Sequence, residues 1–90
     1  MKRYTLLISG RVRDVSFRDF VRKHALQFNI TGYVRNRKDG NVEVVAEGKE
    51  YQLKKLVSKC RTGPLLAKVE KVDLVEAEAT REFEGFDFRF

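Results

Sequence analysis

Apolar and polar positions alternate at the start of the chain. Tyr4, Leu6, Ile8, Gly10 and Val12 stand on one side, and Thr5, Leu7, Ser9 and Arg11 on the other. A period of two predicts a strand with one face buried, ending near Arg13. The interval then changes to three and four at Phe17, Phe20, Val21, His24, Ala25 and Phe28. That spacing predicts a helix with an aromatic-rich stripe. Ser16, with Asp19 three positions later, is the expected N-cap and acidic first-turn partner, which starts the helix directly beside the preceding loop.

Thr31 to Arg37, β-favouring at Tyr33 and Val34, leads into Asp39-Gly40. Val42, Val44 and Ala46 then alternate with Glu43 and Glu47. Two such runs around a turn pair predict a hairpin. After Gly48, the positions Tyr51, Leu53, Leu56, Val57 and Cys60 trace a second amphipathic helix, stopped by Gly63 and Pro64, with Lys54, Lys55, Lys59 and Arg61 facing outward. Val69, Val72, Leu74 and Ala77 predict a strand made irregular where the apolar spacing breaks between Val69 and Val72. Phe86, Phe88 and Phe90 alternate with Asp87 and Arg89 in a short terminal strand.

The order is βαββαβ plus that short strand. Two helices so placed can cover one face of a mostly antiparallel sheet, so the expected class is α+β, a ferredoxin-like α/β sandwich. Residues 1–90 are read as a single domain, because a chain of this length supports one core. The fold by itself does not choose a function.

Hydrophobic residues at 42% and charged residues at 36% are a globular composition, which excludes a disordered chain. No apolar run approaches the roughly 20 residues of a membrane span. The run Leu6-Leu7-Ile8 after Met1-Lys2-Arg3 is too short for a secretion signal. A cytoplasmic location with no membrane partner is therefore the expectation. Cys60 is the only cysteine, so no intramolecular disulfide forms, and its place on the helix stripe marks a buried hydrophobe.

The formal net charge is +6, and the basic residues cluster. Arg11, Arg13, Arg18, Arg22, Lys23, Arg35, Arg37 and Lys38 are opposed in their stretch only by Asp14 and Asp19. An anionic partner is favoured. The segment Arg11-Val12-Arg13-Asp14-Val15-Ser16-Phe17, lying between a strand and a helix, is a suitable place to hold one. Unpaired N–H groups there point in one direction, and the helix dipole adds the equivalent of about half a positive charge. Arg18, in the first helical turn, adds a planar fork of donors matched to phosphoryl oxygens.

Gly10-Arg11-Val12-Arg13-Asp14-Val15-Ser16-Phe17-Arg18 resembles the acylphosphatase signature Gly-x-Val-Gln-Gly-Val-x-Phe-Arg, a loop that cradles the substrate phosphate. Gly32-Tyr33-Val34-Arg35-Asn36 through Asp39-Gly40-Asn41-Val42 is similar to that family's Gly-aromatic-Val-x-Asn-x-x-Asp-Gly-x-Val strand and turn. Glu47-Gly48, a helix, and Gly63-Pro64 match its later landmarks in order. The resemblance implies hydrolysis of acyl phosphates, with inorganic phosphate as product and competitive inhibitor and with no cofactor or metal. It implies that Arg18 binds the phosphoryl group and Asn36 positions the attacking water. The backbone amides of Arg13, Asp14, Val15, Ser16 and Phe17 would complete the cradle.

The chemistry agrees with these residue types. An acyl phosphate already carries a good leaving group, so the protein must mainly neutralise phosphoryl oxygens and place a water in line. His24, the only histidine, falls on the apolar stripe and is read as a packed residue rather than a base. One cysteine and one histidine make no zinc set.

Two signature positions differ. Arg13 replaces the usual Gln, and Asp14 replaces the usual cradle Gly, where glycine allows positive φ and a close approach to phosphate. Aspartate tolerates the left-handed region better than most residues. Its charge, about 6 Å from a bound anion at an effective dielectric of ~20 to 80, repels by roughly 0.7 to 3 kcal/mol. Reduced but present activity is expected, with an inactive phosphate-binding relative as the alternative. An RNA-binding module of the same fold stacks bases on aromatics of its third strand. Asn41 to Gly48 contains no aromatic, so no nucleic acid partner is expected. Monomer is the default for this size.

Overall fold

The strand alternation at the N-terminus sorts side chains as expected: in β1 (Lys2–Arg11), Tyr4, Leu6 and Ile8 are buried and their neighbours only half-buried. A computed structural model describes all 90 residues. The chain continues through α1 (Val15–Gln27), β2 (Thr31–Asn36), β3 (Val42–Gly48), α2 (Glu50–Thr62), β4 (Lys68–Glu78) and β5 (Phe86–Arg89). The five strands form one sheet in the order β4-β1-β3-β2-β5. All neighbours are antiparallel except β2 and β5, which run parallel. The fold is the ferredoxin-like sandwich expected from the element order.

Both helices lie on one face, and their stripes meet the sheet in one core. Phe17, Val21 and Ala25 of α1 and Leu53, Leu56, Val57 and Cys60 of α2 join Leu6, Ile8, Val34, Val42 and Val44. Burial pushes the Cys60 thiol up to about 12, which keeps it protonated and inert. The irregularity in the fourth strand is a bulge. Ser9 pairs with Lys71 and Gly10 with Val69, leaving Glu70 as the extra residue opposite the end of β1. At Gly10, φ is +122°, and a Cβ would stand 2.1 Å from the Lys68 carbonyl oxygen, so only glycine carries the strand past this point.

Four expectations need correction. Tyr51, placed on the apolar stripe of α2, is exposed, because the first turn of the helix lies beyond the sheet's cover and only Leu53, Leu56, Val57 and Cys60 are buried. The N-cap of α1 is Asp14, not Ser16, and the first turn contains no acidic partner. Glu47, which alternation places opposite the core, is fully buried, because the segment before β5 folds over that side of β3. Phe90 lies beyond β5 and is fully exposed, where alternation would have put a third aromatic in the strand.

Candidate functional site

Only Val12, Arg13 and Asp14 separate β1 from α1. So short a connection forces the chain to turn directly from strand into helix and leaves the first-turn amides at the end of the sheet. Val12 is buried and anchors the turn, its N–H donating to the Gly10 carbonyl at 3.1 Å. Asp14 is extended, with φ −63° and ψ 142°, a conformation any residue adopts. The backbone therefore makes no demand for glycine at this position, contrary to the positive φ considered from the motif.

The amides expected to form the cradle are not equivalent. Those of Arg13 and Asp14 lie in the loop and donate to no group of the protein. The Ser16 N–H donates to the Asp14 Oδ1 at 3.1 Å, and the Phe17 N–H donates to the Asp14 carbonyl at 3.0 Å. The Asp14 carboxylate thus satisfies, from within the chain, one amide at a helix N-terminus where an anion would be stabilised.

Asn36, the last residue of β2, reaches this loop because β2 ends beside it. Its Nδ2 donates to the Arg13 carbonyl at 3.4 Å. The turn that follows is closed by Gly40 N–H to Arg37 O at 3.1 Å and Arg37 N–H to Asn41 O at 2.8 Å. Gly40 has φ +90°, and a Cβ there would lie 3.5 Å from the Arg13 Cδ. The Arg13 side chain therefore lies against the β2–β3 turn, and the loop and hairpin are packed together. This contact brings the two separated motifs of the sequence to one place.

Two buried polar atoms are unsatisfied. Across the chain, the buried side-chain nitrogens and oxygens without a hydrogen-bond partner are Arg18 Nε and Asn36 Oδ1. A buried polar group left unpaired costs about 1–3 kcal/mol, so such groups are few in native proteins. One is a cationic donor and the other a neutral acceptor. Arg18 makes no ion pair, although Arg3, Arg35 and Arg37 each do. His24 sits apart, its ring 4.5 Å from that of Phe20 and 6.0 Å from that of Phe28, with Nδ1 3.1 Å from the Gln27 Oε1. It packs as the sequence suggested.

Sequence reasoning missed the turn from Pro64 to Ala67, closed by the Ala67 N–H on the Pro64 carbonyl at 3.1 Å. It presents Leu65 and Leu66 at 97% and 82% exposure. The signal was available as two adjacent leucines beside Gly63-Pro64, outside either periodic segment.

Fold and site together define a small ferredoxin-like domain that offers free loop amides, an unpaired arginine and an asparagine acceptor at the end of its sheet. Residues 4–88 match the Acylphosphatase family model. The acylphosphatase of Salinibacter ruber is 43% identical over 88 residues, covering 98% of this chain and 93% of that protein. That of Thiobacillus denitrificans is 45% identical over 89 residues, covering 99% and 98%. The crystal structure of acylphosphatase from Bacillus subtilis superposes with a TM-score of 0.96 at 33% identity, over 100% of both chains. The chain belongs to the acylphosphatase family, and with it to the hydrolases that act on acyl phosphates.

Proposed function

We propose that the chain hydrolyses acyl phosphates to a carboxylate and inorganic phosphate, with Arg18 and the backbone amides from Arg13 to Phe17 binding the phosphoryl group and Asn36 holding the attacking water. The observation that carries this reading is the pair of orphaned atoms. A buried guanidinium donor without an acceptor suits a phosphoryl oxygen, and a buried amide oxygen without a donor suits a water O–H.

The water oxygen bonds to phosphorus opposite the acyl oxygen. The phosphorus–oxygen bond to the acyl group breaks, and its electron pair leaves with the carboxylate. A water proton moves to a phosphoryl oxygen. No strong base is required, because positioning and charge neutralisation lower the barrier.

A second reading, a phosphate-binding relative with impaired turnover, is favoured by the Asp14 carboxylate on the Ser16 amide. Hydrolysis of benzoyl phosphate, with inorganic phosphate as inhibitor, separates the two. Turnover with competitive inhibition supports the enzyme, while phosphate binding without turnover supports the impaired relative. We also infer a cytoplasmic monomer, supported by a core closed within one chain and a buried, unpaired Cys60. A light-scattering mass near 10.5 kDa is expected, and twice that value overturns the monomer.

A further inference from the structure

Between α2 and β4 the usual burial of apolar residues is inverted. The small residues sit on the core side: a Cβ on Gly63, where φ is +72°, would lie 3.0 Å from the Phe17 Cε2, and Ala67 packs against the core. The large ones, Leu65 and Leu66, are almost wholly exposed. Pro64 restricts the backbone, and the Ala67 N–H closes the turn on the Pro64 carbonyl, so the leucines project from a fixed turn. They form an apolar tip with no partner in the chain.

Cations surround this tip. Arg11 lines the same small cleft as Leu66, and Lys68, two residues past Leu66, is the cross-strand partner of Arg11. Arg61, in the last turn of α2, borders Val69 and Val72 of β4. All three are exposed, and none makes an ion pair. Of the acids nearby, Asp14 is held by the Ser16 amide, and Glu70 stands beside Arg61. The charge then changes sign along the sheet. β4 starts at this end with Lys68 and Lys71 and finishes at the other with Glu76 and Glu78, where Lys2 pairs with Glu78 and Arg3 with Glu82. The molecule has a basic end and an acidic end, and the apolar tip stands at the basic one.

The geometry points to this turn as a docking surface for an anionic lipid bilayer, with Leu65 and Leu66 entering the interface and Arg11, Arg61 and Lys68 meeting lipid phosphates. A projecting apolar tip needs no matching pocket in a fluid interface, and the cations around it gain from the negative surface potential. A second copy of the chain fits less well, because a two-fold contact over the turn sets Arg11, Arg61 and Lys68 against themselves. The contact is peripheral, since no helix is long and apolar enough to cross a membrane. Asp14, Ser16 and Phe17 line the same cleft as Leu66, so docking brings the loop before α1 to the membrane surface.

Co-sedimentation with phosphatidylglycerol vesicles tests this, with phosphatidylcholine vesicles as the surface of no net charge. The parent is expected to bind the first and not the second, with an affinity that falls as salt rises. The double variant Leu65→Ser, Leu66→Ser is expected to weaken binding roughly tenfold or more, and Lys68→Ser about fivefold. Lys23→Ser, which removes an exposed cation from α1 away from the turn, and Val75→Ser, an exposed change on β4, are expected to stay near the parental affinity. All these positions are exposed, so parental melting temperatures show that each variant is folded. Parental binding by the leucine variant overturns the inference, as does a parent that ignores anionic vesicles or binds both kinds equally. Binding abolished by inorganic phosphate at constant ionic strength also overturns it, by assigning a single headgroup to the loop. A lipid-free dimer in analytical ultracentrifugation that is lost in the leucine variant gives the turn to a second copy, and the inference fails.

Discussion

Arg18 and Asn36 are expected to act at different points of the same reaction, and substitution should separate them. Arg18→Ala is expected to abolish both phosphate inhibition and turnover. Asn36→Ala is expected to keep phosphate inhibition and to lower kcat by about 10²- to 10³-fold, the scale of a lost preorganised polar contact. An Asn36→Ala protein with parental kcat would refute the water-positioning role. Stability should move in the other direction for Arg18: its Nε has no partner to lose, so Arg18→Ala should melt at or above the parental temperature. Asp14 joins two effects in one side chain. Asp14→Gly removes a negative charge and frees the Ser16 amide, while the cost of losing the cap is only a few tenths of a kcal/mol when glycine replaces it. Calorimetric titration with inorganic phosphate should therefore show affinity rising three- to a hundredfold, the range set by the roughly 0.7 to 3 kcal/mol of repulsion removed. Unchanged affinity would mean that the carboxylate does not compete.

Among the elements, β3 carries a feature on each face. Its inner face adds Val42 and Val44 to the core, and its outer face holds Glu47. The Glu47 Oε2 accepts from the Arg3 Nε at 2.8 Å and from the Thr80 N–H at 2.9 Å, and its Oε1 accepts from the Arg81 N–H at 2.9 Å. One carboxylate thus joins β1, β3 and the segment leading to β5. Burial by itself pushes the Glu47 carboxyl up, but the bonds from the Thr80 N–H, Arg3 and the Arg81 N–H outweigh it and hold the group below its ordinary value of 4.5. A lowered carboxylate stabilises the fold fully above that ordinary value, and the contribution is lost as pH falls through the folded value. Thermal melts from pH 6 to pH 3 should show the parent losing stability faster than Glu47→Gln. At pH 7 the variant should be less stable by about 2 kcal/mol, since it leaves Arg3 without its buried counter-charge. Parallel pH dependences would show that Glu47 does not govern the acid transition.

At the scale of the whole molecule, the proposed site is a junction. It draws on the end of β1, the start of α1 and the end of β2, so binding there should stabilise the fold as one unit. At a phosphate concentration one hundred times Kd, linkage adds about 2.7 kcal/mol. For a domain of this size that corresponds to a rise in Tm of about 10 °C or more. Differential scanning calorimetry should show the rise with the parent and none with Arg18→Ala. An equal rise in both would place the anion elsewhere on this basic chain.

The element order, the core-facing stripes, the buried Cys60 and the turn at Asp39-Gly40 were legible from periodicity and turn chemistry alone, because those signals are local. The bulge at Glu70 was legible for the same reason, as a break in apolar spacing. The resemblance in the loop and hairpin motifs pointed to Arg18 and Asn36 together. The Asp14 cap on the Ser16 amide is a local bond between residues two apart, which the sequence pattern assigned to Ser16 instead. The approach of Asn36 to the loop beside Arg18 and the burial of Glu47 were decided by tertiary contact. So were the parallel pairing of β2 with β5 and the presentation of Leu66 beside Phe17. Each joins residues far apart in the chain or depends on which groups find partners. A linear pattern records which side a residue faces, but the folded chain decides what meets it there, and unpaired atoms such as Arg18 Nε and Asn36 Oδ1 become visible only once every other partner is placed.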